Sequence, residues 1–281
     1  MPDVWGLAAI LSKFGLYLGI LAASGTLFAT LLFQLIGTAR FAIWFAVLGL
    51  VASAASFSLR GAALTGDAAG MVDPEMLSLL WSTPVGDALI YRLVGLSMLI
   101  AGVLFGGWGI RIAACGGVIA VLSFVQIGHI PDLAQWPYSL LLALHLFYIA
   151  VWIGILSPLR QMVSHGHSVM RGAYIGHSFG KFAMGAVPGL AMAGIYLAYR
   201  LVGSWSALVT TSYGQILIAK IVLVVGLLGF AGVNKFWFVP RLFRNEPHAG
   251  RQMAQVIGIE WAIIVLILLV TATLTSIVAP P

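Results

Sequence analysis

Long apolar runs alternate with short polar breaks along the whole chain. The first run extends from about Phe14 to Ile36 and is closed by Gly37, Thr38, Ala39 and Arg40. A shorter second one, about Phe41 to Phe57, is closed by Ser58 and Arg60. Further runs cover about Ala88 to Phe105, Ile110 to Ile130, Pro137 to Ser157, His177 to Leu201, Tyr213 to Val239 and Met253 to Val278. Hydrocarbon offers backbone amides no partner, so each run must be a helix or part of a closed barrel, and runs of this length far exceed barrel strands of about 10 residues. The pattern predicts an all-α integral membrane protein: one transmembrane domain over residues 1–281, a bundle of eight helices. The longest connection, about Arg60 to Gly86, holds a short amphipathic segment from Pro74 to Trp81, with proline at its first turn, predicted as a helix in the membrane interface.

Composition agrees. Hydrophobic residues make up 61% of the chain and charged residues 8%, against about 25% charged in soluble domains. The mean hydropathy is +1.06. The net charge of +6 does not point to nucleic acid, because the basic residues fall singly between apolar runs and form no stripe with interleaved aromatics. The lone Cys115 excludes a thiolate cluster within one chain, so a metal must be held by His, Met, carboxylate or backbone. The first run lacks a small-residue cleavage site and is expected to stay inserted. No catalytic constellation is evident, and the chain is not expected to be an enzyme.

Lys and Arg in short loops mark the cytoplasmic side. Arg40, Arg111, Arg160, Arg171, Lys181, Lys235, Arg241, Arg244 and Arg251 cluster at one side, against Lys13, Arg60, Arg92 and Arg200 at the other. Both termini are therefore expected outside, in the periplasm of a bacterial inner membrane. Asp67, Asp73, Glu75 and Asp132 fall on that outer side, either collecting cations or merely solvating their loops.

Histidine inside an apolar span points to function. His129 lies at the outer end of the fourth run, and His145 roughly 12 Å into the fifth, with Trp152 at i+7 close to the same face. The pair reads as a shallow and a deeper station for an ion, or as a helix cap and a buried hydrogen-bonding group. Lys220 is positioned to snorkel outward or to play a structural part. Glu260 stands at a height that Asn234 can reach, as a coupling carboxylate, a metal exit ligand or half of a buried hydrogen-bonded pair. Met98, Met184 and Met192 offer soft thioethers suited to Cu(I), or are packing alone; Met184 and Met192 fall roughly on one helical face. His165, His167 and His177 form an imidazole group on the cytoplasmic side, a candidate exit site.

These residues carry a resemblance. Trp81 to Arg92 with Thr83-Pro84 and Gly86, Gly128-His129, Leu144-His145-Leu146 and Trp152-Ile153-Gly154 recur in order, followed by Ser178-Phe179, Tyr213-Gly214-Gln215 with Lys220, Asn234 with Pro240-Arg241-Leu242, and Glu260 before Thr271 to Thr275. Together they resemble the CopD/PcoD family of bacterial copper-resistance and copper-uptake membrane proteins. The resemblance implies an inner-membrane protein that moves copper from the periplasm toward the cytoplasm, alongside a periplasmic CopC-type copper-binding partner. Only His129 and His145 match family histidines. Low-coordinate stations of His and Met favour Cu(I) over Cu(II). The rival readings are a b-type haem electron-transfer protein, which needs two histidines facing each other at one depth, and a copper-docking scaffold through which no ion crosses.

Overall fold

The computed structural model describes residues 4–127, 136–164 and 168–276, and every regular element among them is helical. In chain order these are α1 (Val4–Phe33), α2 (Ala39–Thr65), α3 (Pro74–Trp81), α4 (Pro84–Phe105), α5 (Gly109–Leu122), α6 (Trp136–Ser164), α7 (Val169–Val202), α8 (Trp205–Thr210), α9 (Ser212–Val233), α10 (Val239–Phe243) and α11 (Ala249–Ser276). A π turn, Asn234–Phe238, joins α9 to α10 into one rod. That rod and α1, α2, α4, α6, α7 and α11 make seven helices long and apolar enough to cross a membrane; the apolar helix Gly109–Val125 is shorter.

α1 is the central pillar. It packs against α2, α5, α6 and α11, and 67% of its most apolar window is buried, against 6% for the α9–α10 rod at the periphery. The tightest crossing lies between α1 and α6. A Cβ placed on Gly25 would overlap the Ala150 carbonyl, and one on Gly154 would overlap the backbone of Gly25 and Thr26. Only glycine lets two helix backbones approach so closely, and with no hydrophobic force between helices in lipid, such close packing is what holds them. The contact fixes the height of α6, and with it that of His145 and Trp152.

Several boundaries differ from the sequence reading for physical reasons. Arg60 does not close the second run: α2 continues to Thr65 and stops at Gly66, whose φ of 73° is left-handed. α4 begins at Pro84, four residues before the expected start, because the Thr83 side chain accepts from Val85 N–H as a cap and proline suits the first turn. Pro158 was expected to end the fifth run, yet it lies inside α6, which reaches Ser164; a missing N–H is tolerated where neighbouring helices enclose the freed carbonyl. α7 likewise starts at Val169, ahead of His177, and runs through Pro188. Pro240 does not stop the seventh run either. The interfacial segment over Pro74–Trp81 is helical as expected, capped by Asp73.

Gly154→Ala should lower thermal stability by about 2 kcal/mol or more, because the added methyl meets backbone that cannot repack. Gly226→Ala, where a Cβ meets nothing within 4 Å, should leave the melting curve unchanged. Equal behaviour of the two variants in scanning calorimetry would dismiss the crossing as the rigid contact.

Candidate functional site

Two groups of polar residues lie along the inner face of α6. The first centres on His145. Its ring is half-buried, and Nδ1 is fully buried with no hydrogen-bond partner among the described residues. A buried imidazole nitrogen without a partner is costly unless something else fills the position. The charge that acts on it is the Lys220 ammonium of α9. An ammonium at Lys220 opposes a cation held at the ring.

The second group begins two helical turns further along α6. Trp152 stands edge-on to Phe179 of α7, with ring centroids 5.4 Å apart and planes at 87°. Beyond it lies a partly open cavity of about 270 Å³ whose polar walls are Trp152, Asn234, Lys235 and Glu260, with the thioethers of Met184 and Met253 also lining it. Glu260 is 1% exposed and accepts a hydrogen bond from Asn234 Nδ2 at 2.5 Å. The expected meeting of these two residues is thus present. Asn234 Oδ1 and Trp152 Nε1 are buried with no hydrogen-bond partner among the described residues. The indole is close enough to act on the Glu260 carboxylate, although Nε1 falls short of hydrogen-bond geometry.

The backbone explains how Asn234 reaches its place. Pro240 supplies no N–H, and its ring would clash with the carbonyl one turn back. The helix answers by widening: Val239 N–H bonds the Asn234 carbonyl five residues earlier, the signature of a π turn. Asn234 and Phe238 are thereby buried. On α7, Gly180 leaves space that the Lys235 side chain crosses, and Lys235 Nζ donates to the His177 carbonyl at 3.2 Å. No carboxylate–cation pair involves Glu260 among the described residues; the ion pairs are Arg241 and Arg244 with Glu246. A buried carboxylate held by one amide donor is an uncompensated acceptor, and it attracts a cation or a proton.

The remaining expected residues separate. Met184 lines the cavity beside Glu260, whereas Met192 is 68% exposed and lines a different, apolar crevice of about 540 Å³ with Tyr196, Tyr199 and Trp205. The two methionines share a helix but line different cavities, more than two turns apart along α7. Met98 packs at the α4–α5 seam against Gly116, away from both cavities. The His177 ring stacks edge-to-face on Phe243, with centroids 6.1 Å apart. Asp67 accepts from Ala69 N–H and Asp73 from Glu75 N–H, so both carboxylates also cap helices; Glu75 is exposed in the first turn of α3. His129, Asp132, His165 and His167 lie outside the described residues. Among those described, no three His, Cys, Asp or Glu side chains gather as a metal cluster. Met253 escaped the sequence reading, although Met253, Ile257 and Glu260 follow one another at i, i+4 and i+7 on one face of α11.

Similarity to known proteins bears on this site. A family model described as "Copper resistance protein D" matches residues 173–274, which contain Asn234, Met253 and Glu260. A second, "Copper resistance protein D-like, N-terminal domain", matches residues 1–132. The chain is 28% identical over 143 residues to "Inner membrane protein YebZ" of Escherichia coli (strain K12), covering 48% of this chain and 47% of that protein. It is 24% identical over 188 residues to "Copper transport protein CutJ" of Bacillus subtilis (strain 168), covering 63% of this chain and 32% of that protein. The chain thus spans about half the length of the first relative and a third of the second. No solved structure matches.

A double-mutant cycle of Asn234→Ala and Glu260→Ala, read by chemical unfolding, should give a coupling energy of about 1–3 kcal/mol. Additive losses would mean that the two side chains do not act as a pair.

Proposed function

Because this chain belongs to the copper resistance protein D family, whose models match its two ends, we propose that it takes copper ions from the periplasmic side of the inner membrane and moves them toward the cytoplasm. It is a multi-pass inner-membrane protein of copper handling and not an enzyme. In this reading both termini are periplasmic and eight helices cross. The Lys13 ammonium near the start of α1 donates to the Thr275 carbonyl at the finish of α11, which supports an even number of crossings. His129 serves as the outer station and His145 as the deeper one.

The observation that carries the reading is the buried, unpartnered Nδ1 of His145. A lone pair left open inside the membrane suits a transient ligand, and the nearby Lys220 charge keeps the ion from settling there. Passage requires binding strong enough for entry and weak enough for release, and a ligand opposed by a neighbouring cation meets both demands. Trp152, Asn234, Glu260 and the thioethers of Met184 and Met253 then receive the ion before it leaves near His177. Thioether and imidazole donors in low coordination favour Cu(I) over Cu(II). The acidic outer loop, with Asp67, Asp73 and Glu75, concentrates cations, and a CopC-type carrier delivers copper to it.

In sealed vesicles, His145→Ala should abolish copper uptake, whereas Lys220→Met should tighten copper binding and slow its release into the lumen. Binding at His145 without flux in the wild type would replace transport by docking. A haem absorption band without copper would assign the histidines to electron transfer. Glu260→Gln tests the inner cavity separately: flux should lose its pH dependence while copper binding at His145 persists.

A further inference from the structure

The copper path leaves one polar cluster unused. At the end of the bundle shared by the start of α1 and the finish of α11, cations from three helices come near one another: Lys13, whose ammonium donates to the Thr275 carbonyl, feels the charges of Arg60 and Arg92, and Arg92 feels that of Arg60. Arg92 is 6% exposed. Its Nε donates to Ser123 Oγ at 3.1 Å, and its guanidinium lies 5.7 Å from the Phe124 ring centroid, leaving the rest of its donor fork without a partner among the described residues. Tyr17 stacks on the same Phe124 at 5.0 Å and brings its hydroxyl within 3.3 Å of Thr275 Oγ1. Ser276 Oγ is buried with no hydrogen-bond partner among the described residues.

No carboxylate among the described residues lies within salt-bridge distance of any of the three cations; the ion pairs recorded there are both made by Glu246 at the other end of the molecule. Like charges gathered inside a low-dielectric bundle repel, and cations in membrane helices are expected to pair. Guanidinium forks, an ammonium and hydroxyls approaching from different helices suit a tetrahedral, many-oxygen anion better than a single-point counter-ion. We propose that Lys13, Arg60 and Arg92 form an intramembrane anion site that takes a phosphate group, supplied by an acidic phospholipid headgroup or by free phosphate.

The full chain in phosphatidylcholine nanodiscs, with and without phosphatidylglycerol, provides the test. Phosphatidylglycerol should raise the melting temperature of the wild type, and native mass spectrometry should show a retained phospholipid. Arg92→Gln should lose both effects. If Arg92→Gln does not fold, Arg60→Gln at the half-buried position should lose at least half of the rise. Arg111→Gln, at the opposite end, should keep it. The same rise with inorganic phosphate in phosphatidylcholine alone identifies free phosphate as the source and upholds the site. A wild type indifferent to both anions overturns the proposal, most directly if Asp132→Asn then creates an anion dependence, because Asp132 would be the native counter-charge. Equal losses in Arg60→Gln and Arg111→Gln also overturn it, as a surface effect of lipid charge.

Discussion

The contact on which the molecule depends is the backbone-to-backbone crossing of α1 and α6 at Gly25 and Gly154. In lipid no hydrophobic force drives helices together, so their relative heights are set by where two backbones can touch. Once α6 is held at Gly154, Trp152 must face Phe179 and the cavity beside Glu260, and His145 must stand two turns away on the same side. The central helix thus acts as a datum from which the depths of the polar groups on α6 follow. α7 and the α9–α10 rod are packed loosely enough for crevices to open beside them.

The polar groups divide by the sign of what they lack. The His145 and Glu260 neighbourhoods are rich in acceptors, namely an imidazole nitrogen, an amide oxygen and a carboxylate held by one amide donor, with the Trp152 indole N–H beside them. The Lys13, Arg60 and Arg92 cluster is rich in donors, of which the Thr275 carbonyl and the Ser123 hydroxyl engage only part. A bundle with an acceptor-rich and a cation-rich cluster has two distinct electrostatic compartments, and a cation passing through it is drawn to one and kept from the other.

Most of the fold was legible because lipid imposes a strong rule: long apolar runs must be helices, and they are. Ends were less legible where proline was taken as a stop, since Pro158 and Pro240 both lie within continuous rods. Asn234 and Glu260 could be paired from the sequence because both are polar in apolar helices at matching depth. Met253 stayed hidden although it shares a helical face with Glu260, since a methionine among leucines carries no sign of its surroundings. Met184 and Met192 were joined by spacing alone, and spacing cannot report that they line different cavities. Lys13, Arg60 and Arg92 lie far apart in the chain, and as single basic residues they read as topology marks; only the packing of three helices brings them together.

The π turn at Asn234 has a consequence for how this helix can change over generations. A wide turn holds one residue more than an α-helical turn, so everything beyond it is rotated by about 100° relative to an unbroken helix. Loss of a single residue there would restore regular winding and swing Phe238, Val239 and Leu242 off the faces they bury, scrambling the packing of the rod's end while leaving its hydrophobicity untouched. The segment therefore tolerates exchange of one apolar side chain for another far better than any change in length. Relatives that keep the amide–carboxylate pair should keep the count of residues between it and the proline.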